Sequence, residues 1–233
     1  MNNYSSSIVK VVSQALYKTF MWMAIGLFLT GFTSYYLSST RYMFYFLHGS
    51  MYGSLFRLVL FGSQIGVALA LFLGFTRLSY NTLKSLFISF SIISGASLSY
   101  IFLLYDLSSI IGIFFITSGM FFGLCIYGLF TKKDLSPFYA FINMVLWGMF
   151  IFGLINLFWR SAAFNSMLNV VGIFVFSFLT AVDIQNIKKM LSEYAFDMQM
   201  QKKLSIIGAV IMYQNFLNIF LRLLQLFGKR KNN

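Results

Sequence analysis

Polar positions are sparse along this chain and fall at intervals that leave long uninterrupted apolar runs. Seven such runs stand out, at about 20–38, 54–75, 83–104, 109–130, 137–158, 165–186 and 204–227. Each approaches the ~20 residues that a helix needs to cross a ~30 Å hydrocarbon core. The runs are continuous instead of alternating, which excludes a transmembrane β-barrel. They predict an all-α polytopic membrane protein, a seven-transmembrane helix bundle forming a single transmembrane domain over 1–233, with no room for a soluble domain. The gaps are short, as in Asp106-Leu-Ser-Ser and Thr131-Lys-Lys-Asp-Leu-Ser-Pro137, so sequential helices are expected to be antiparallel neighbours. Pro137, the single proline, sits where a fifth helix would begin and where its missing N–H costs nothing. The longest internal gap, about 187–203, reads as a solvated turn or a helix extension. The first run follows Lys18 and lacks a small-x-small cleavage site, so it reads as a retained helix and not a signal peptide.

Composition sharpens this picture. With 59% hydrophobic and 9% charged residues and a mean hydropathy of +0.81, the chain is not a soluble globular domain. The net charge of +12 would suggest a nucleic-acid partner in a soluble protein. Here the basic residues lie in loops and helix ends, where they set orientation and touch anionic lipid, so the bilayer is the expected partner and nucleic acid is not. An N-terminus inside places Lys10, Lys18, Arg77, Lys84, Lys132, Lys133, Lys188, Lys189, Lys202 and Lys203 in the cytoplasm. It leaves fewer, Arg41, Arg57, Arg160, Arg222 and the tail Lys229-Arg-Lys, on the other side. That basic tail argues against an outside C-terminus, and a re-entrant last segment would remove the conflict. Gly62-x-x-x-Gly66 and Gly119-x-x-x-Gly123 are expected to let helices approach closely inside the protein.

Asp183 is the candidate site residue that composition isolates. Asp106, Asp134, Glu193 and Asp197 fall in polar gaps, whereas Asp183 ends the sixth apolar run. A carboxylate there is costly unless protonated, paired or wet, which makes it a functional candidate. Alternatively, it lies near the helix end and reaches the headgroups, roughly 7 Å before Lys188. Gly172, Phe176, Thr180 and Asp183 share one face of the sixth helix, and Asn215, Asn218 and Arg222 share one face of the seventh. A polar stripe on a spanning helix must face protein or water, so the seventh helix is expected to be central, and packing the two faces would set Asp183 against an amide. Arg77, closing the second run, is a candidate charge partner for Asp183 or a plain cytoplasmic loop arginine.

Enzyme chemistry finds no support. His48, the single histidine, lies outside the runs, so an intramembrane serine would lack its base, and no set of residues suggests a metal site or a phosphate loop. No cofactor is expected. Cys125, alone and within the fourth run, reads as an inert packing residue.

Several stretches, in order, carry a resemblance: Gly26-Leu-Phe-Leu-Thr-Gly, Gly95-Ala-Ser-Leu-Ser, Gly128-Leu-Phe-Thr-Lys-Lys-Asp-Leu-Ser136, Ile155-Asn-Leu-Phe158, Ala181-Val-Asp-Ile-Gln-Asn-Ile-Lys188 and Tyr213-Gln-Asn-Phe-Leu-Asn-Ile-Phe220. Over roughly residues 14–228 the chain resembles the Bax inhibitor-1 family of YccA-like and transmembrane Bax-inhibitor-motif proteins. The resemblance implies seven helices with the seventh wrapped by the others, residence in a bacterial inner membrane, and a calcium leak gated by protonation of two intramembrane aspartates near an arginine. Carried onto this chain, the first aspartate is Asp183 and the arginine Arg77, while the second aspartate is replaced by Asn215. A second activity implied for some relatives is regulation of another membrane protein, such as a membrane-bound AAA protease. A lone carboxylate favours that second reading, since calcium prefers six to eight oxygens; the polar face of the seventh helix favours the leak.

Overall fold

The computed structural model describes residues 2–40, 51–159 and 161–231. It contains seven long helices among them: α1 Asn2–Ser39, α2 Met51–Gly74, α3 Tyr80–Leu98, α4 Leu107–Phe130, α5 Phe138–Trp159, α6 Ala162–Glu193 and α7 Met198–Phe227. A short helical turn, Ile101–Leu104, extends α3. Six helices are long and apolar enough to cross a membrane, and the described apolar part of α2, Leu58–Gly74, is shorter. The chain is therefore an all-α polytopic membrane protein, as the apolar runs predict. His48, Arg41 and Arg160 lie outside the described residues.

The chain packs as two compact units. Of the described residues, the first holds 2–40, 51–105, 191–213 and 231. In it α1 and α2 pack on α3, and Val12, Ala15, Thr19, Met23, Gly26, Thr30 and Ser34 form one buried stripe along α1 at three- and four-residue steps. This stripe starts well before the apolar run at residue 20, so α1 reaches further toward the N-terminus than hydropathy predicts. Two of its hydroxyls are satisfied within the helix, since Thr19 and Thr30 each donate to the carbonyl four residues back, while the buried Ser34 hydroxyl has no partner among the described residues. Thr30 also meets the Tyr213 hydroxyl at 2.7 Å, and Phe87 and Phe90 set their edges on the Tyr213 ring. At Gly95 a Cβ would press on the Thr30 backbone, so glycine lets α3 touch α1 there. Ser79 caps α3 by accepting the Thr82 N–H.

The second unit holds residues 106–190 and 214–230. Leu135, Ile142, Leu179, Ala181 and Val182 form an apolar cluster in it, and Phe114 and Phe121 of α4 meet Phe216 of α7 edge to face. Gly62, Gly66, Gly119 and Gly123 correct an expectation: among the described residues a Cβ at any of them would enter empty space, so these pairs mediate no close approach there. The 187–203 gap is mostly helix. α6 continues to Glu193 and α7 starts at Met198, where Asp197 caps it by accepting the Met200 N–H. α7 is an unbroken helix of 30 residues, about 45 Å long, so the re-entrant alternative fails. It is also the most enclosed helix: 78% of its most apolar window is buried, against 6–44% in the other candidate spans. In the second unit its tail meets the residue that precedes α4: the Asp106 N–H donates to the Lys229 carbonyl and Lys229 pairs with Asp106.

Candidate functional site

Two of the sequence stretches that carry the family resemblance form one interface in the second unit, although they lie about 50 residues apart. At Gly128 a Cβ would collide with the backbone of Ala181 and with Ile184, so only glycine lets α4 lie this close to α6. One turn on, the Gln185 side chain accepts from the Leu135 N–H and donates to the Lys133 carbonyl, each at 2.9 Å. The Lys188 ammonium donates to the Leu129 carbonyl. The loop between α4 and α5 is thus tied to the α6 end that carries Asp183. In that loop Asp134 accepts the Ser136 N–H at 3.0 Å, which holds its carboxyl below the usual carboxylate range.

This clamp fixes the α6 face on which Asp183 sits. Thr180, one turn before, satisfies its own hydroxyl on the Phe176 carbonyl, and Val182 and Ile184 are fully buried. Asp183 is 8% exposed, and its Oδ2 accepts a 2.7 Å hydrogen bond from the Asn215 side-chain amide of α7. Asn215 is itself 4% exposed. The two polar faces therefore meet as their spacing predicts, and the carboxylate has the amide as its partner. Asp183 is enclosed by protein, and α6 continues ten residues beyond it. Its second oxygen accepts nothing from the described residues.

Arg77 is exposed, in the turn after α2, with its N–H on the Gly74 carbonyl, and it belongs to the first unit, whereas Asp183 and Asn215 belong to the second. Further along the two facing stripes, Arg222 donates to the Leu168 carbonyl at 3.0 Å and lies over the Phe176 ring. A Cβ at Gly172 would overlap the Arg222 side chain, so this glycine makes the berth for the guanidinium. Sequence reasoning places Arg222 on the stripe but gives it no site. Its surroundings include Asn165 and Asn169 from the first turns of α6, whose polarity reads as the edge of a gap. Cys125 is buried and free.

Among the described residues no three of His, Cys, Asp and Glu gather as metal ligands. Asp183 with Asn215 offers one charged and one neutral oxygen-bearing group, far short of the six to eight oxygens of a resident calcium site. What the pair can do is hold a desolvated negative charge between two spanning helices, with one amide donor on it.

The helices and this enclosed polar pair define a polytopic integral membrane protein. A family model described as Inhibitor of apoptosis-promoting Bax1 matches residues 12–232, and the chain belongs to that family, the Bax inhibitor-1 family. It is 31% identical over 225 residues to an uncharacterized protein of Borreliella burgdorferi, covering 97% of this chain and 96% of the relative. It is 34% identical over 211 residues to the Inner membrane protein YbhL of Escherichia coli strain K12, covering 90% and 89%. A Rickettsia prowazekii protein is 34% identical over 215 residues, covering 92% and 89%.

Proposed function

We propose that this Bax inhibitor-1 family protein is a passive cation leak, with calcium as its ion, and that the Asp183–Asn215 couple is its ion-facing gate. The observation that carries this reading is the buried carboxylate with a single neutral partner. A charge kept inside a spanning helix pair is costly, and burial without a full set of donors is tolerated where it serves an ion path. One carboxylate with a free oxygen attracts a cation, yet it supplies too few ligands to retain calcium, and weak binding is what passage requires. The Inner membrane protein YbhL bears its location in its name; we place this chain in a bacterial inner membrane on that likeness.

A rival reading is a non-conducting regulator that binds another membrane protein, such as a membrane-bound AAA protease. Asn215 favours it, because an amide stands where a second acid would strengthen a cation site. The purified chain reconstituted alone into calcium-free proteoliposomes, with calcium added outside, separates the two. Calcium entry above that of protein-free vesicles supports the leak. No excess entry from folded, reconstituted protein sinks it and favours the regulator.

A further inference from the structure

At the other end of the facing α6 and α7 stripes lies a cavity of about 270 Å³ whose chemistry is opposite to that of Asp183. Its polar lining is the Arg222 guanidinium with the side-chain amides of Asn165, Asn169, Asn218 and Gln225, and no lining residue is acidic. We propose that this cavity is a binding site for a phosphate-type oxyanion, presented by an anionic lipid headgroup or taken from solution. This inference stands apart from the cation-leak reading and survives its failure.

Three observations carry it. Asn169 is 6% exposed, lines the cavity and makes no hydrogen bond to any described residue. Its amide is not fully enclosed and opens on the cavity, where its N–H groups are available to a bound acceptor. The Arg222 Nε is likewise buried with no partner, while Nη1 is anchored on the Leu168 carbonyl. One end of the guanidinium is thus fixed to the protein and Nε is turned against Gly172, while Arg222 itself lines the cavity with its permanent charge. A planar, permanently charged fork suits phosphate oxygens, and amides around it add neutral donors without a competing negative charge. Third, the depth is right for a headgroup. Arg222 stands five residues before the end of α7 at Phe227, and Asn165 three residues after the start of α6 at Ala162, so both lie within about 8 Å of helix ends. Exposed Asn165 and Gln225 form the rim, and Asn169 the floor. The volume exceeds what a single water fills and admits a phosphate group.

The test uses the full chain with two probes: inorganic phosphate added in detergent, and nanodiscs of phosphatidylcholine with or without phosphatidylglycerol. Readouts are the thermal unfolding midpoint against phosphate concentration and the lipid retained in native mass spectrometry. Wild type should prefer phosphatidylglycerol, or be stabilised by phosphate, and the probe that acts identifies the source. Arg222→Gln should weaken that binding about tenfold to a hundredfold, as expected for a hydrogen bond to a charged group. Asn169→Leu discards an amide that holds nothing together, so the protein should fold normally while binding weakens about threefold to tenfold. Wild type responding to neither probe, or Asn169→Leu and any folded Arg222→Gln binding as wild type does, overturns the proposal.

Discussion

Removing the Asn215 amide should destabilise this protein more than removing the carboxylate it serves. In Asn215→Ala a carboxylate that is 8% exposed loses its hydrogen-bond donor. Hydrogen bonds to charged groups contribute about 1.5–3 kcal/mol, and interhelical bonds within membranes reach about 1.7 kcal/mol. A loss of about 1.5–2 kcal/mol follows. In Asp183→Ala the orphan is a neutral amide, which costs about 1 kcal/mol. Relief from burying a charge opposes that cost, so the net change should be about 0.5 kcal/mol or less. Once Asp183 is gone, the further change Asn215→Ala removes only that orphan. The double variant should therefore be no less stable than Asp183→Ala, so the coupling between the sites is at least the Asn215→Ala loss, about 1.5–2 kcal/mol. Equilibrium unfolding of the four proteins in mixed micelles gives the cycle. A coupling below about 0.3 kcal/mol, or Asp183→Ala costing more than Asn215→Ala, would refute the reasoning.

Three other outcomes are expected. Gly128→Ala places a methyl against the Ala181 backbone, where nothing can swing aside, and should cost about 1–3 kcal/mol, whereas Gly123→Ala meets empty space and should be neutral in the same unfolding assay. In a Cys125→Ala background, a cysteine replacing Lys133 should resist an impermeant thiol reagent added from outside, since the α4–α5 loop is assigned to the cytoplasm; outside labelling would reverse the topology. Asn215→Asp sets a second carboxyl against Asp183, and because two facing carboxylates repel when both ionise, calcium flux should depend more steeply on pH between about 6 and 8 than in wild type. An equally steep wild type, unchanged by the substitution, would remove the paired-carboxylate account.

What could be read from the chain follows from which physical signal each feature leaves. Helices were legible because a bilayer demands long apolar runs, and Asp183 because so few acids exist to compete with it. Asn215 could be matched to Asp183 because each stripe repeats at three- and four-residue steps, which fixes a face on a helix. A face does not disclose its neighbour, however. Gly62 and Gly119 have the spacing of packing glycines and abut nothing, while Gly95 and Gly128, with no such partner, sit where backbones touch. For the same reason spacing left Arg77 open between a charge partner for Asp183 and a plain loop arginine; it occupies an exposed turn of the first unit. The polar start of α1 and the 187–203 gap were hidden by hydropathy, which registers the bilayer and not helix continuing beyond it. Asn169 and Arg222 come from opposite ends of two helices' sequences, and only the fold makes them one cavity.

The most direct test of the central claim is calcium entry into proteoliposomes that carry wild type or Asp183→Asn at equal density and constant pH. Asparagine keeps the shape of the side chain and its contact with Asn215 while abolishing the charge. If Asp183 faces the ion or gates its path, wild type should conduct above protein-free vesicles and the substitution should change that flux severalfold at unchanged fold. Identical fluxes from the two folded proteins would contradict the account.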